Sequence, residues 1–263
     1  MNTQRGVTLI ELMIALALSV MLLMGITKIF SLGKQTLMSA ESQMQHEEAG
    51  RLGLSYIRQA IRNAHYVPFD NNAVPIELSQ LPGFPHETAD CSDKGIEGGY
   101  CNQQSADDSD TLTVSYIYEN ENQFSCSQTF VTSMRIAVSF FVVNDQLMCQ
   151  AYYFDKSRNR YIKEGNSVDL VKNIIGVKLF YYYKKSGVGK TAFNQREIDW
   201  NNVRGVKIAV IVTSPDRKVG GAQQTVNVFG NNTNFNIPVN YQTKVNKVFA
   251  TTVQAVNYGV KQL

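Results

Sequence analysis

Apolar residues fill the chain almost without a break from Val7 to Thr27, and Glu11 is the only charge among them. At about 1.5 Å per residue, a helix over these roughly 21 residues matches the ~30 Å hydrocarbon thickness of a bilayer. The pattern predicts a membrane-spanning helix. Past Lys28 the helical pattern continues without a stop, and the polar run Ser31 to Glu48, with isolated Leu32, Leu37 and Met44, reads as a stem facing solvent or a neighbouring subunit. From Ala49 an apolar stripe resumes as Leu54, Ile57, Ile61 and Ala64, with Tyr56 and Ala60 beside it and Arg51, Arg58, Gln59 and Arg62 elsewhere. Such a stripe needs a sheet to pack on. Pro68, after Tyr66-Val67, ends the helix. Gly25, Gly33, Gly50 and Gly53 each cost about 1 kcal/mol relative to alanine. They serve either close packing against a neighbour or local unwinding.

The period then changes. Residues Phe69 to Asp110, with Pro75, Pro82, Pro85 and several glycines, read as one long loop. Thr111 to Tyr118, Arg135 to Val143 and Leu147 to Phe154 are rich in β-branched and aromatic residues, with Asn144-Asp145 at a hairpin turn. Val177 to Tyr183, Val206 to Thr213 and Val245 to Val256 continue the series, the second so apolar that it belongs at the centre of the sheet. Ser214 to Asn240, rich in Gly and Asn, reads as a loop or lobe extending away from it. A long N-terminal helix followed by a mainly antiparallel sheet is an α+β layer architecture.

Composition adds compartment and partners. With 44% hydrophobic and 18% charged residues the chain folds rather than staying disordered. A net charge of +3 is too small to argue for a nucleic-acid partner. Behind a membrane helix whose short basic end stays inside, the remainder lies in the periplasm, where disulfides persist. Cys91, Cys101, Cys126 and Cys149 allow three connectivities. The pairing with the shortest loops joins Cys91 to Cys101 and Cys126 to Cys149, each contributing about 3 kcal/mol in the chain-entropy view. Zinc is disfavoured, since no Cys-x-x-Cys pair is present.

Glu11 decides the functional reading. A carboxylate at mid-bilayer costs about 2.5 to 3.5 kcal/mol, so it needs a partner. Were the chain cut after Gly6, the new α-amino group of Val7 would lie four residues before Glu11, one turn away on the same helix face. Arg5-Gly6-Val7-Thr8-Leu9-Ile10-Glu11 resembles the prepilin processing motif of type IV pilins and type II secretion pseudopilins. The resemblance implies cleavage between Gly6 and Val7 by a membrane aspartyl protease, the prepilin peptidase, followed by N-methylation of Val7. It implies that Glu11 pairs with a subunit's N-terminus during filament assembly. The family usually has Phe where this chain has Val7.

Looser likenesses follow in the family's order. His46 to Leu54 with Ile57-Arg58 and Ile61 to Ala64, then Val203 to Ala209, then Lys247 to Val253, are similar to PilW-type minor pilins. The expected division is a leader at 1–6, a membrane and filament-core helix at 7–30, its continuation onto the head at 31–66 and a disulfide-containing β-rich head at 67–263. The resemblance implies a non-enzymatic minor pilin, helping to initiate and cap type IV pili that serve twitching motility, adhesion and DNA uptake. Its implied partners are other minor pilins, the major pilin and the inner-membrane assembly machinery. The implied location is the inner membrane with the head in the periplasm, then the pilus tip. A J-type minor pseudopilin of type II secretion is the alternative, as is a tip adhesin or DNA-binding module.

Other constellations carry less. Ser186 to Thr191 resembles the end of a phosphate-binding loop, but the glycine required five residues before Gly189 is Lys184, so a flexible turn is favoured. Lys184, Lys185 and Lys190, with Arg158, Arg160 and Lys163, are the candidate contacts for an anion or DNA. Asp107, Asp108 and Asp110 lack calcium-loop spacing. His46, His65 and His86 lie far apart with no nucleophile pattern. No catalytic set, cofactor site or metal site is expected.

Overall fold

The computed structural model describes residues 8–64, 109–118, 123–126, 134–155, 157, 160–185, 188–192, 198, 202–218, 220–230 and 234–255. The chain forms two compact units, Met1–Met44 and Gln45–Leu263. One helix, α1 (Leu9–Asn63), runs through both for 55 residues. It stops three residues short of the expected end at Tyr66, where Ala64 N donates to Ile61 O at 3.1 Å and tightens the last turn. The Pro68 stop, Cys91, Cys101 and the Phe69 to Ser109 part of the expected loop lie outside the described residues, Ser109 itself excepted.

The second unit is built on antiparallel strands. β1 (Leu112–Tyr118), β2 (Met134–Val143), β3 (Gln146–Asp155) and β4 (Arg160–Lys172) form one sheet in chain order. The expected single sheet is in fact two. β5 (Ile174–Lys185), β6 (Val188–Ala192), β7 (Val203–Lys218) and β10 (Lys244–Gln254) form the second, in the order β10-β7-β5-β6. β8 (Thr225–Asn227) and β9 (Asn234–Asn236) pair separately. Asn144 and Asp145, at φ 49° and 56°, make the two-residue hairpin turn that the sequence predicts. Between β4 and β5 only Asn173 intervenes, at φ 64°, and its carbonyl accepts from Thr213 N at 2.8 Å. That left-handed residue carries the chain from one sheet to the other.

β7 lies between β10 and β5, the central place its apolar run predicts. Its residues alternate between two covered faces. Ile208 and Val210 face the main core, which also holds Ile57, Ile61, Val114 and Val138 from α1 and the first sheet. Ala209 and Ile211 face a second cluster with Val228, Phe235 and Ile237. The segment expected to extend away as a lobe therefore first prolongs β7 to Lys218, then folds back over the sheet. A strand that is apolar on both faces needs cover on both, and this segment supplies the second layer. Phe235 sits against Gly176, where a Cβ would collide with its ring.

The helix stripe falls as expected. Ile57, Ala60, Ile61 and Ala64 are buried, and Arg51, Arg58, Gln59 and Arg62 are exposed. Of the two uses open to the helix glycines, close packing holds for Gly50 and Gly53. A Cβ on Gly50 would enter the Phe249 ring, and one on Gly53 would lie 2.8 Å from Ile174 Cδ1. Gly25 and Gly33 have nothing within 4 Å.

Two buried polar arrangements fix the head. Asp110 accepts from Lys178 Nζ at 3.2 Å and from Leu179 N at 2.8 Å, while its own N–H donates to Val177 O at 2.8 Å. Its carboxylate thus ties the entry to β1 onto β5; Asp107 and Asp108 lie outside the described residues. On the other face of the first sheet, Thr113 and Ser139 share a hydroxyl hydrogen bond of 2.7 Å, and Ser115 bonds Tyr161. Arg135 Nε donates to the same Tyr161 hydroxyl at 2.8 Å, and its guanidinium lies 4.4 Å from the Phe154 ring centre.

Burial also sets the alkaline limit of the fold. Desolvation pushes the Tyr116 phenol above its ordinary range, and that of Tyr181 likewise, helped by Asp110. Above pH ~10 the unfolded chain loses these protons while the folded chain keeps them. Stability present below pH ~10 is therefore lost as pH rises, by up to about 1.4 kcal/mol per pH unit for each tyrosine. Melting temperatures measured from pH 8 to 11 should fall steeply only above 10, and less steeply in Tyr116→Phe.

Candidate functional site

At the helix start the sequence puts a charge, Glu11, into a long apolar run. Thr8 immediately precedes α1 and acts as its N-cap, and Glu11 is the third helical residue. Thr8 N and Thr8 Oγ1 both donate to Glu11 Oε2, at 3.0 and 2.9 Å, and Glu11 N donates back to Thr8 Oγ1 at 3.4 Å. This is a capping box, in which two otherwise orphaned backbone donors of a helix N-terminus are satisfied reciprocally. A carboxylate there also meets the positive end of the helix dipole. Thr8 is the functional residue that the reading of Glu11 missed. The Thr-x-x-Glu spacing ahead of an apolar run is its signal.

Further along, Leu9, Met13, Leu22 and Ile29 are among the many large apolar side chains that stay exposed. The helix is long and apolar enough to cross a membrane. Hydroxyls on this stretch are turned back onto the backbone: Ser19 Oγ donates to Ala15 O at 2.7 Å and Thr27 Oγ1 to Leu23 O at 3.0 Å. Bonds of this kind leave no hydroxyl seeking water in hydrocarbon. Glu11 is thus the only side chain in the run whose charge calls for a partner from outside. Gly6 and Val7, on either side of the expected cut, lie outside the described residues.

The remaining candidates sit on the head. Cys126 and Cys149 are joined by a disulfide with Cα atoms 5.9 Å apart, pinning the segment after β1 to β3. β5 and β6 bring the three lysines to one hairpin end, with Tyr183 opposite Lys190, Lys184 opposite Gly189 and Lys185 opposite Val188. The expected flexible turn at Ser186 to Thr191 is corrected here, because Val188–Ala192 is strand. Without the strand-to-helix transition, the phosphate-loop likeness loses its structural context. His46 is buried on α1, whereas His65 and His86 lie outside the described residues. Arg135, held by Tyr161, was not among the sequence candidates.

Residues 1–27 match the family model of the prokaryotic N-terminal methylation motif. Among solved structures, a type IV-like pilin from Thermus thermophilus is similar at 12% identity, covering 58% of this chain and 81% of that one. The TM-score is 0.34. No curated protein sequence matches this one. The chain thus carries a prokaryotic N-terminal methylation motif at the start of one long helix, and antiparallel sheets follow it.

Proposed function

We propose that this chain is a minor pilin of the PilW type, cut between Gly6 and Val7, methylated on Val7 and built into the tip of a type IV pilus. The reading is supported by the methylation motif matched at residues 1–27 and by the sequence spacing, in which Glu11 stands four residues, one helical turn, after the amine that a cut behind Gly6 would expose. The apolar face of α1 supplies the filament core, and the charge on Glu11 sets register against a neighbour's Val7 amine. Magnitudes support this order of events. Two opposite charges about 4 Å apart gain roughly 4 kcal/mol at an effective dielectric of 20, against about 1 kcal/mol in water. That gain is comparable with the ~2.5 to 3.5 kcal/mol cost of holding a lone charge in lipid. In the single subunit, the Thr8 bonds satisfy the carboxylate's hydrogen-bonding needs while leaving its charge unneutralised. Docking then offers what the capping box cannot.

Before assembly the subunit sits in the inner membrane with its head in the periplasm, where Cys126–Cys149 forms. Other minor pilins and the major pilin are its neighbours afterwards, and its role is structural rather than enzymatic. A Gly6→Leu chain tests the reading, because a bulky residue at the cut site blocks the peptidase. The full-length precursor should accumulate in the membrane and be missing from sheared pili. Uncut precursor found in pili at normal levels would defeat the proposal.

A further inference from the structure

Among the described residues the two large sheets end in four edge strands, and three of them are protected. β1 is buried along its whole length. β4 is broken by Gly165 at φ 62° and by register shifts against β3, and it carries charges of both signs. β6 has only five residues. β10 has fewer of these devices: its register against β7 shifts once, between Lys244 and Asn246. It is eleven residues long and keeps unbroken register with β7 from Asn246 to Gln254. It contains no proline or glycine, and its only charges are Lys244 and Lys247.

The direction of its backbone groups follows from one bond. Ala255 N donates to Arg204 O at 2.8 Å, one step beyond the rung Gln254 to Gly205. In an antiparallel ladder, bonded and non-bonded pairs alternate, so the N–H and C=O groups of Val248, Ala250, Thr252 and Gln254 point away from β7. Ala250, Thr252 and Gln254 are exposed, and among the described residues β10 pairs with β7 alone. From Val248 to Gln254 this edge has no charge, proline, glycine or register shift, and such a stretch is a template for strand addition.

We propose that β10 is a docking edge on which an extended, acidic segment of another protein adds as a further strand. Charge selects the kind of partner: β10 offers two lysines and no acid, and pairing with the β10 of a second copy would bring to it only the same two lysines. The inference does not depend on the filament role, since it concerns backbone groups of the head alone. A photo-crosslinking residue at Thr252 of the full chain, in its own membranes, tests it. An adduct is expected with a different polypeptide, through a peptide that carries Asp or Glu toward the end lying against Lys244 and Lys247. Ala250→Pro removes an outward N–H and spares the β7 ladder, so it should lower the adduct yield at least tenfold while Cys126–Cys149 still forms. In the unmodified chain, the Ala250 and Thr252 amides should exchange at least tenfold more slowly in the isolated assembly than in the detergent-solubilised single chain. The proposal is overturned by no adduct, by an adduct only with a second copy, by a yield indifferent to Ala250→Pro, or by equal exchange in the two states.

Discussion

Glu11→Ala should leave a chain that inserts, is processed and forms its disulfide, yet falls at least a hundredfold in pili relative to the membrane pool. The expectation comes from the size of the charge pairing. A loss of roughly 3 to 4 kcal/mol of docking energy corresponds to a factor of several hundred. The capping box offers a competing explanation, because Glu11 also satisfies Thr8 N and Oγ1 at the helix start. Glu11→Gln separates the two. Glutamine serves a capping box nearly as well as glutamate but cannot neutralise an amine. If charge pairing is what matters, Glu11→Gln is as deficient as Glu11→Ala; if capping matters, it is close to wild type. Normal incorporation of Glu11→Ala would count against both.

The second large effect belongs to the head. Asp110→Ala removes the carboxylate to which both Lys178, itself only 8% exposed, and the Leu179 N–H donate. Breaking a buried pair from one side costs about 3 to 5 kcal/mol, a large part of the roughly 5 to 15 kcal/mol that holds a domain folded. For a unit of this size that means a fall in melting temperature on the order of 10 °C. Replacing both partners, as in Asp110→Ala with Lys178→Met, should recover much of the loss, because no lone charge remains. Thermal unfolding of the three chains measures this. A shift within a degree or two for Asp110→Ala alone would mean that the pair is not the tie between β1 and β5 described above.

How much of this was legible in the sequence depends on whether the physics is local. The apolar stripe of α1 and the central place of β7 were readable because periodicity and continuous hydrophobicity are written residue by residue. The Asn144-Asp145 turn was readable because few residues tolerate left-handed backbone in sequence. β4 was not, since Gly165 and its charges interrupt the alternation that marks a strand. The division into two sheets turns on a single residue, Asn173, whose φ of 64° nothing in the pattern announces. The return of the Gly- and Asn-rich segment over the second sheet was hidden for a related reason. Its apolar anchors Val228, Phe235 and Ile237 are few and scattered, although the two-sided apolarity of β7 implied that something had to cover it. At the helix start, Glu11 stood out by its cost in lipid, whereas Thr8 passed as an ordinary polar residue until its bonds to that carboxylate were seen.

The most direct test is intact and N-terminal mass spectrometry of the chain purified from pili. The expected result is a polypeptide that lacks Met1 to Gly6 and begins with N-methylated Val7. A chain that still begins at Met1 in the assembled fibre would contradict the account, because no amine would then lie one turn from Glu11.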